Sequence, residues 1–373
     1  MTDSFVETRD VEAARSWVPT DGLLLEVDQL QVEFRTKEGV AKAINGVSFD
    51  LREGETLAIL GESGSGKSVT AQAIMGILDS PPGYVTGGQV RYCGTDLLTQ
   101  NEEVRRSVRG AEIAMVFQDA LSALNPVFPV GWQIAEMFRK HRGMNRADSL
   151  QQAIRLMERV QIPGARQRVK AFPHQFSGGM RQRIMIAMSI ALDPAILIAD
   201  EPTTALDVTV QAQIMQLLAE LQEERRMGLI LITHDLGVVA DVADRIAVMY
   251  AGKIVESAEV FELYASPRHP YTKGLLESIP RLDQKGQDLA AIGGLPPNLM
   301  HIPPGCAFNP RCRYAQDICR ADPPPPLREL VGVGQRPGVP SRLSACHFAE
   351  DLEVAEPAAD QPADTTQQGR ELR

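Results

Sequence analysis

Two features of this 373-residue sequence predict an α/β protein built on a mainly parallel sheet, and a third adds a C-terminal appendage. The octapeptide GESGSGKS at 61–68 fills the pattern Gly-x4-Gly-Lys-Ser, between the apolar stretch TLAIL at 56–60 and a helically spaced stretch over 67–78. Strand, glycine loop and helix in that order are the context a phosphate-binding loop requires. Further apolar runs, IAMVF at 113–117, ILIAD at 196–200 and LILIT at 229–233, alternate with helical segments near 129–160 and 208–226. That alternation implies parallel strands covered on both faces. After residue 256 the texture changes to many prolines and four cysteines with few apolar runs, which reads as a separate appendage.

The elements follow in chain order. Residues 1–21 read as an unstructured extension, and the alternating stretches between 23 and 51 read as antiparallel strands. The run 184–199 is interrupted by Asp193-Pro194, so it reads as a buried helix and then a buried strand. IAVMYAGKIVE at 246–256 reads as a hairpin turning at Ala251-Gly252. The appendage spans 257–348, and the Ala/Pro/Gln-rich tail 349–373, with seven acidic and two basic residues, is expected to be disordered.

A net charge of −10 argues against a nucleic-acid partner, which would need a basic face. No run reaches the roughly 18–20 apolar residues that span a bilayer. The opening MTDSFVETRD lacks a basic-then-apolar export pattern. These features lead us to expect a cytoplasmic chain that meets a membrane only through partners.

Candidate chemistry clusters at strand ends. Gly61, Glu62, Ser63, Gly64, Ser65, Gly66, Lys67, Ser68 and Val69 form the nucleotide-binding set: the glycines let the loop curl, Lys67 reaches the phosphates and Ser68 ligates Mg2+. Asp200 and Glu201 end the strand ILIAD, where open α/β sheets bind ligands. Asp200 is placed to hold Mg2+ through water and Glu201 to polarise the attacking water. Gln118 and His234 close two other strands. Ser177, Gly178 and Gly179 open a helix and offer a second set of phosphate-facing N–H groups.

FSGGMRQR at 176–183, just ahead of ILIADE, resembles the signature of ATP-binding cassette ATPases. That resemblance implies a cassette over 22–256, with a mainly parallel core, an antiparallel β subdomain and a helical subdomain at about 119–179. It also implies that Gln118 senses Mg2+ and the attacking water, and that His234 contacts the γ-phosphate. Phe34 would stack on adenine and Asp207 would couple two active sites. Ser177–Gly179 would face the γ-phosphate of an opposing subunit, so catalysis would need a dimer.

MVFQDALSALNP at 115–126, THDLGVVADVADRIAVMYAGKIVE at 233–256, SPRHPYTKGLLESIPRLD at 266–283 and GCAFNPRCRYA at 305–315 resemble the ATP-binding subunits of oligopeptide/dipeptide permeases. One departure is Ala120, where that family usually has proline. The resemblance implies a subunit on the cytoplasmic face of the cell membrane. It would pair with a second homologous ATPase beneath two membrane-spanning permease subunits, fed by an extracytoplasmic substrate-binding protein. Di- or oligopeptides are the expected cargo; nickel, glutathione or another small solute is the alternative, and a soluble non-transport ATPase a remoter one.

Cys306, Cys312, Cys319 and Cys346 are spaced C-x5-C-x6-C-x26-C, with Cys93 apart. Clustered cysteines in a cytoplasmic protein favour metal over disulfides. The family resemblance implies a [4Fe–4S] cluster on these four, with zinc or merely buried thiols as alternatives.

Overall fold

The computed structural model describes residues 17–204, 206–278, 292–330 and 341–352. The antiparallel part comes first: Leu23–Arg35 (β1) and Val40–Arg52 (β2) pair along nearly their whole length. Thr56–Leu60 (β3), buried at every residue, then runs into the glycine loop, and Lys67–Met75 (α1) follows until Gly76 takes a left-handed conformation and stops it. Gly83–Tyr92 (β4) and Thr95–Asp96 (β5) complete a four-stranded antiparallel sheet in the order β2-β1-β4-β5.

Glu102–Val108 (α2) leads to Ile113–Val116 (β6). A helical region follows: Ala120–Ala123 (α3), Val130–Arg142 (α4), Arg146–Arg159 (α5), Ala165–Arg168 (α6) and Gly178–Ser189 (α7). Ile196–Asp200 (β7), Val208–Arg225 (α8), Gly228–Thr233 (β8), Leu236–Val242 (α9) and Arg245–Tyr250 (β9) finish the alternating part. The helix starts follow local chemistry. Asn101, Asp119, Asn145, Ser177, Asp207 and Asp235 each accept a hydrogen bond from a first-turn N–H of the helix they open.

Lys253–Glu259 (β10) folds back on β9 through Ala251 and Gly252, both at positive φ (48° and 75°), as a tight hairpin requires. Val260–Ala265 (α10), Pro270–Glu277 (α11), Arg328–Glu329 (β11) and Leu343–Ser344 (β12) make up the C-terminal region. The main sheet runs β11-β12-β10-β9-β3-β8-β7-β6, parallel from β9 to β6 and antiparallel beyond.

Alternation splits each central strand between two cores. Ala58, Leu60, Leu197, Ala199, Leu229 and Leu231 face the helices α7, α8 and α9. Leu57, Ile59, Ile196, Ile198, Ile230 and Ile232 face α1 and the antiparallel sheet. The C-terminal region is sewn onto the sheet by a buried ion pair: Arg342 beside β12 donates to Glu256 of β10 at 3.2 Å, and the N–H groups of Arg268 and His269 donate to the same carboxylate.

The two ends expected to be unstructured are partly structured. Trp17 packs its ring 5.2 Å from that of Tyr92, and at the other end Ala349 and Leu352 are buried. Residues 1–16 and 353–373 lie outside the described residues. No helix among the described residues is long and apolar enough to cross a membrane.

Candidate active site

The carboxyl ends of β3, β8, β7 and β6 lie side by side, because the strand register aligns them: Leu60 beside Thr233, Ile232 beside Asp200, Ala199 beside Val116. The residues that follow each strand therefore meet at one edge of the sheet, where open α/β sheets take ligands.

The glycine loop wraps the first of these ends. A Cβ at Gly61 would lie 2.2 Å from the carbonyl oxygen of Met249, so β9 itself forbids a side chain there. Gly66 takes φ 108° immediately before α1. Lys67 is buried and its Nζ donates to the carbonyls of Gly61 (2.8 Å) and Glu62 (3.0 Å). Burial holds the Lys67 pKa below its ordinary value, opposed by the carboxylates of Glu201, Asp200 and Glu62. The Ser65 hydroxyl is buried with no hydrogen-bond partner among the described residues. A buried ammonium, an unpartnered buried hydroxyl and the N-terminus of α1 suit the phosphates of a nucleotide. Ser63 and Gly64 are exposed at the loop's tip, while Val69 packs against the core beneath α1.

Ser68 Oγ donates to Asp200 Oδ1 at 2.9 Å. Burial pushes the Asp200 carboxyl up, against the Ser68 hydrogen bond, so a cation here would neutralise a desolvated charge. Hydroxyl and carboxylate oxygens are the hard ligands that Mg2+ accepts.

Glu201 is the hub of the remaining groups. Its Oε2 accepts from Gln118 Nε2 and from Thr204 Oγ1, each at 2.9 Å, and its Oε1 lies 3.5 Å from His234 Nδ1. Its backbone is in the left-handed region at φ 44°, which is uncommon for a non-glycine residue. The Glu201 side chain is 16% exposed and that of His234 63%, so the cluster opens to solvent on the His234 side.

The other candidates lie apart. Ser177 caps α7 through Met180 N–H, with Gly178 and Gly179 in the first turn, where Gly179 abuts Val210 of α8 closely enough to exclude a Cβ. Among the described residues no hydrogen bond joins these three to the glycine loop or to Glu201. Asp207 caps α8 through Val210 N–H. Phe34 lies on β1 opposite Ala41 and Gly83 and packs against the core. Ala120 opens α3 and is buried. The sequence reading missed Thr204 and two residues that reach the loop from the C-terminal region, Tyr271 and Arg311. Thr204 had a signal, being three residues past a candidate catalytic glutamate; the other two had none.

The cysteine expectation needs correction. Cys306, Cys312, Cys319 and Cys346 do line one small cavity, with Pro270, Phe308 and Tyr314. Yet among the described residues no group of three or more His, Cys, Asp or Glu is arranged to hold a metal ion, so neither the [4Fe–4S] cluster nor zinc is upheld. Burial pushes the thiols of Cys306, Cys312 and Cys346 up, Cys312 to about 11 and Cys346 to about 12. Their sulfurs pack among aromatic and proline rings. Cys93 is also free, its thiol raised by burial.

Comparison with known proteins agrees with this geometry. Residues 44–204 match the family described as ABC transporter, and residues 255–319 match the oligopeptide/dipeptide transporter C-terminal region. The chain is 53% identical over 303 residues to the oligopeptide transport ATP-binding protein OppD of Bacillus subtilis, covering 81% of this chain and 85% of that one. It is 46% identical over 343 residues to OppD of Escherichia coli, covering 92% and 97%. It is 47% identical over 328 residues to the dipeptide transport ATP-binding protein DppD of Escherichia coli, covering 88% and 97%. Among solved structures it resembles a dimeric, post-hydrolysis ATP-binding cassette bound to ADP and Pi, with a TM-score of 0.58 and 26% identity over 64% of this chain and 99% of that one. The chain belongs to the family of ATP-binding subunits of oligopeptide/dipeptide ABC transporters, which are ATPases.

Proposed function

We propose that this protein hydrolyses ATP to power import of di- or oligopeptides, working on the cytoplasmic face of the membrane with permease subunits. The observation that carries the ATPase half is the convergence of Gln118, Thr204 and His234 on Glu201, beside Lys67, Ser68 and Asp200. The peptide half rests on the printed names of relatives that match most of the chain.

When bound, Mg-ATP supplies an electrophilic γ-phosphorus and ADP as leaving group. The chain's own residues then divide the work. Lys67 gives up its two carbonyl contacts to neutralise phosphate charge, and Ser65 and the N–H groups of the loop cradle it. Ser68 and Asp200 hold the cation. Glu201 orients and polarises water, with its carboxylate steadied by Gln118 and Thr204, and His234 lies at the open side of the cluster to meet the γ-phosphate. Such catalysis is mostly positioning and electrostatics.

Ser177, Gly178 and Gly179 do not serve their own loop in this reading; they complete the site of a second, homologous ATPase subunit. Asp207 lies at the join between the two sites, and Phe34 takes the adenine face. Two membrane-spanning subunits and an extracytoplasmic binding protein complete the transporter.

The test is Glu201→Gln in the assembled complex reconstituted into liposomes. Loss of a water-activating carboxylate is expected to lower steady-state ATP turnover by about 100-fold or more, with ATP binding retained. Undiminished turnover would overturn the catalytic assignment. Uptake of a labelled peptide, lost with turnover in the variant, would establish the cargo; ATP-dependent uptake of nickel but not peptide would replace it.

A further inference from the structure

Glu62, the second residue of the glycine loop, is held from outside the cassette at two points. Its carboxylate accepts a bidentate pair of hydrogen bonds from Arg311, Nη1 to Oε2 at 2.7 Å and Nη2 to Oε1 at 2.9 Å. Its backbone N–H donates to the hydroxyl of Tyr271 in α11 at 2.8 Å. Both holding residues are deeply placed: Tyr271 is fully buried and the Arg311 side chain is 5% exposed.

The holders are themselves braced. Arg311 Nε donates to the Gly293 carbonyl at 2.9 Å and Nη1 to the Tyr250 hydroxyl at 3.4 Å. The rings of Tyr250, Tyr271 and Phe308 form a mutual cluster with centroids 4.6, 5.3 and 5.4 Å apart. Tyr250 ends β9, the strand whose Met249 carbonyl already excludes a side chain at Gly61. The third polar group of Glu62, its carbonyl, receives the ammonium of Lys67.

We propose that Arg311 and Tyr271 are positioning residues for ATP: the C-terminal region clamps the glycine loop through Glu62 and presets the phosphate cradle and Lys67 before nucleotide arrives. A loop with glycines at 61, 64 and 66 has many backbone states to lose on binding. Fixing the one non-glycine peptide that both Lys67 and the C-terminal region hold removes much of that cost in advance, and preorganisation of this kind raises affinity without any contact to the ligand. A doubly hydrogen-bonded, charge-assisted pair is the sort of link that fixes geometry as well as proximity. Neither Arg311 nor Tyr271 need touch the nucleotide.

The experiment uses the full-length chain, with the dissociation constant of a fluorescent ATP analogue and the melting temperature without nucleotide as paired readouts. Arg311→Gln is expected to weaken binding about tenfold, and Tyr271→Phe, which deletes one acceptor atom, about threefold. Arg311→Lys, which keeps charge but not the fork, should recover part of the loss. In a cycle with Glu62→Gln, the double variant Glu62→Gln/Arg311→Gln should be no worse than the worse single, since both remove the same link. Wild-type affinity in folded Arg311→Gln or Tyr271→Phe protein would overturn the proposal. So would additive losses in the cycle, or a lower melting temperature with affinity unchanged in the folded protein, which is what a purely structural role predicts. Should Arg311→Gln fail to fold, Tyr271→Phe and Arg311→Lys decide the matter by the same affinity criterion.

Discussion

Single residues carry more of this site than their side chains suggest. Gly61 is fixed by a backbone atom, not a flexible neighbour: a Cβ would stand 2.2 Å from the Met249 carbonyl. Gly61→Ala is therefore expected to push the loop off β9, abolish binding of ATP and cost about 1–3 kcal/mol of stability, read as a lower melting temperature. His269 makes a different prediction. Its Nδ1 accepts from Tyr271 N–H, and burial lowers its pKa from the ordinary 6.5 to about 3. A depressed folded pKa means that His269 contributes stability in full above pH 6.5 and loses it as pH falls toward 3. Glu256, which touches the His269 N–H and is raised by the same burial, contributes in the opposite sense, losing its share as pH rises through its folded value. Stability measured between pH 6.5 and 4 should fall less steeply in His269→Asn, whose Oδ1 still caps Tyr271 N–H. Gln118, Asp200, Glu201 and His234 were legible in the sequence because each lies at or just after the end of an apolar run. Arg311 and Tyr271 were illegible because a contact made across 249 or 209 residues leaves no local pattern.

At the scale of elements, alternation and punctuation did most of the predicting. TLAIL, ILIAD and LILIT became β3, β7 and β8 because strands buried on both faces must be apolar throughout, and Ala251-Gly252 turned the hairpin as its positive φ values demand. The two-residue strands β11 and β12 were invisible, since two residues show no period; the sheet they extend, not their own sequence, makes them strands. Their attachment depends on Arg342 and Glu256. Arg342→Met leaves a fully buried carboxylate short of its cation, and a loss of about 3–5 kcal/mol is expected in denaturant unfolding. Adding Glu256→Gln to that variant should recover part of the loss, since the uncompensated charge is then gone. The cysteines show the reverse limit of spacing. The four sulfurs do share one cavity, but its apolar rings bury them and push the Cys306, Cys312 and Cys346 thiols up.

In the function proposed above, the whole molecule holds two halves of a reaction that do not meet within it. Glu201 and its neighbours sit at the sheet's edge, while Ser177, Gly178 and Gly179 open α7 without a bond to them among the described residues. On the proposal that these residues complete a second subunit's site, ATP turnover per chain should fall on dilution of the purified protein and return when a homologous ATPase subunit is added; turnover independent of concentration would argue that one chain suffices. The change of texture after residue 256 leads to the expectation of an appendage, and the structure ties that region to the main sheet by pairing β12 with β10. That continuity has a consequence for how the protein is made. Glu256 is buried by folding, yet Arg342 lies 86 residues further along the chain. At ribosomal speeds of about 5–20 residues per second, the carboxylate leaves the exit tunnel roughly 4–17 seconds before its cation does. The nascent cassette must wait through that interval with its sheet unfinished at the β10 edge, so the last step of its folding is timed by translation of the C-terminal region.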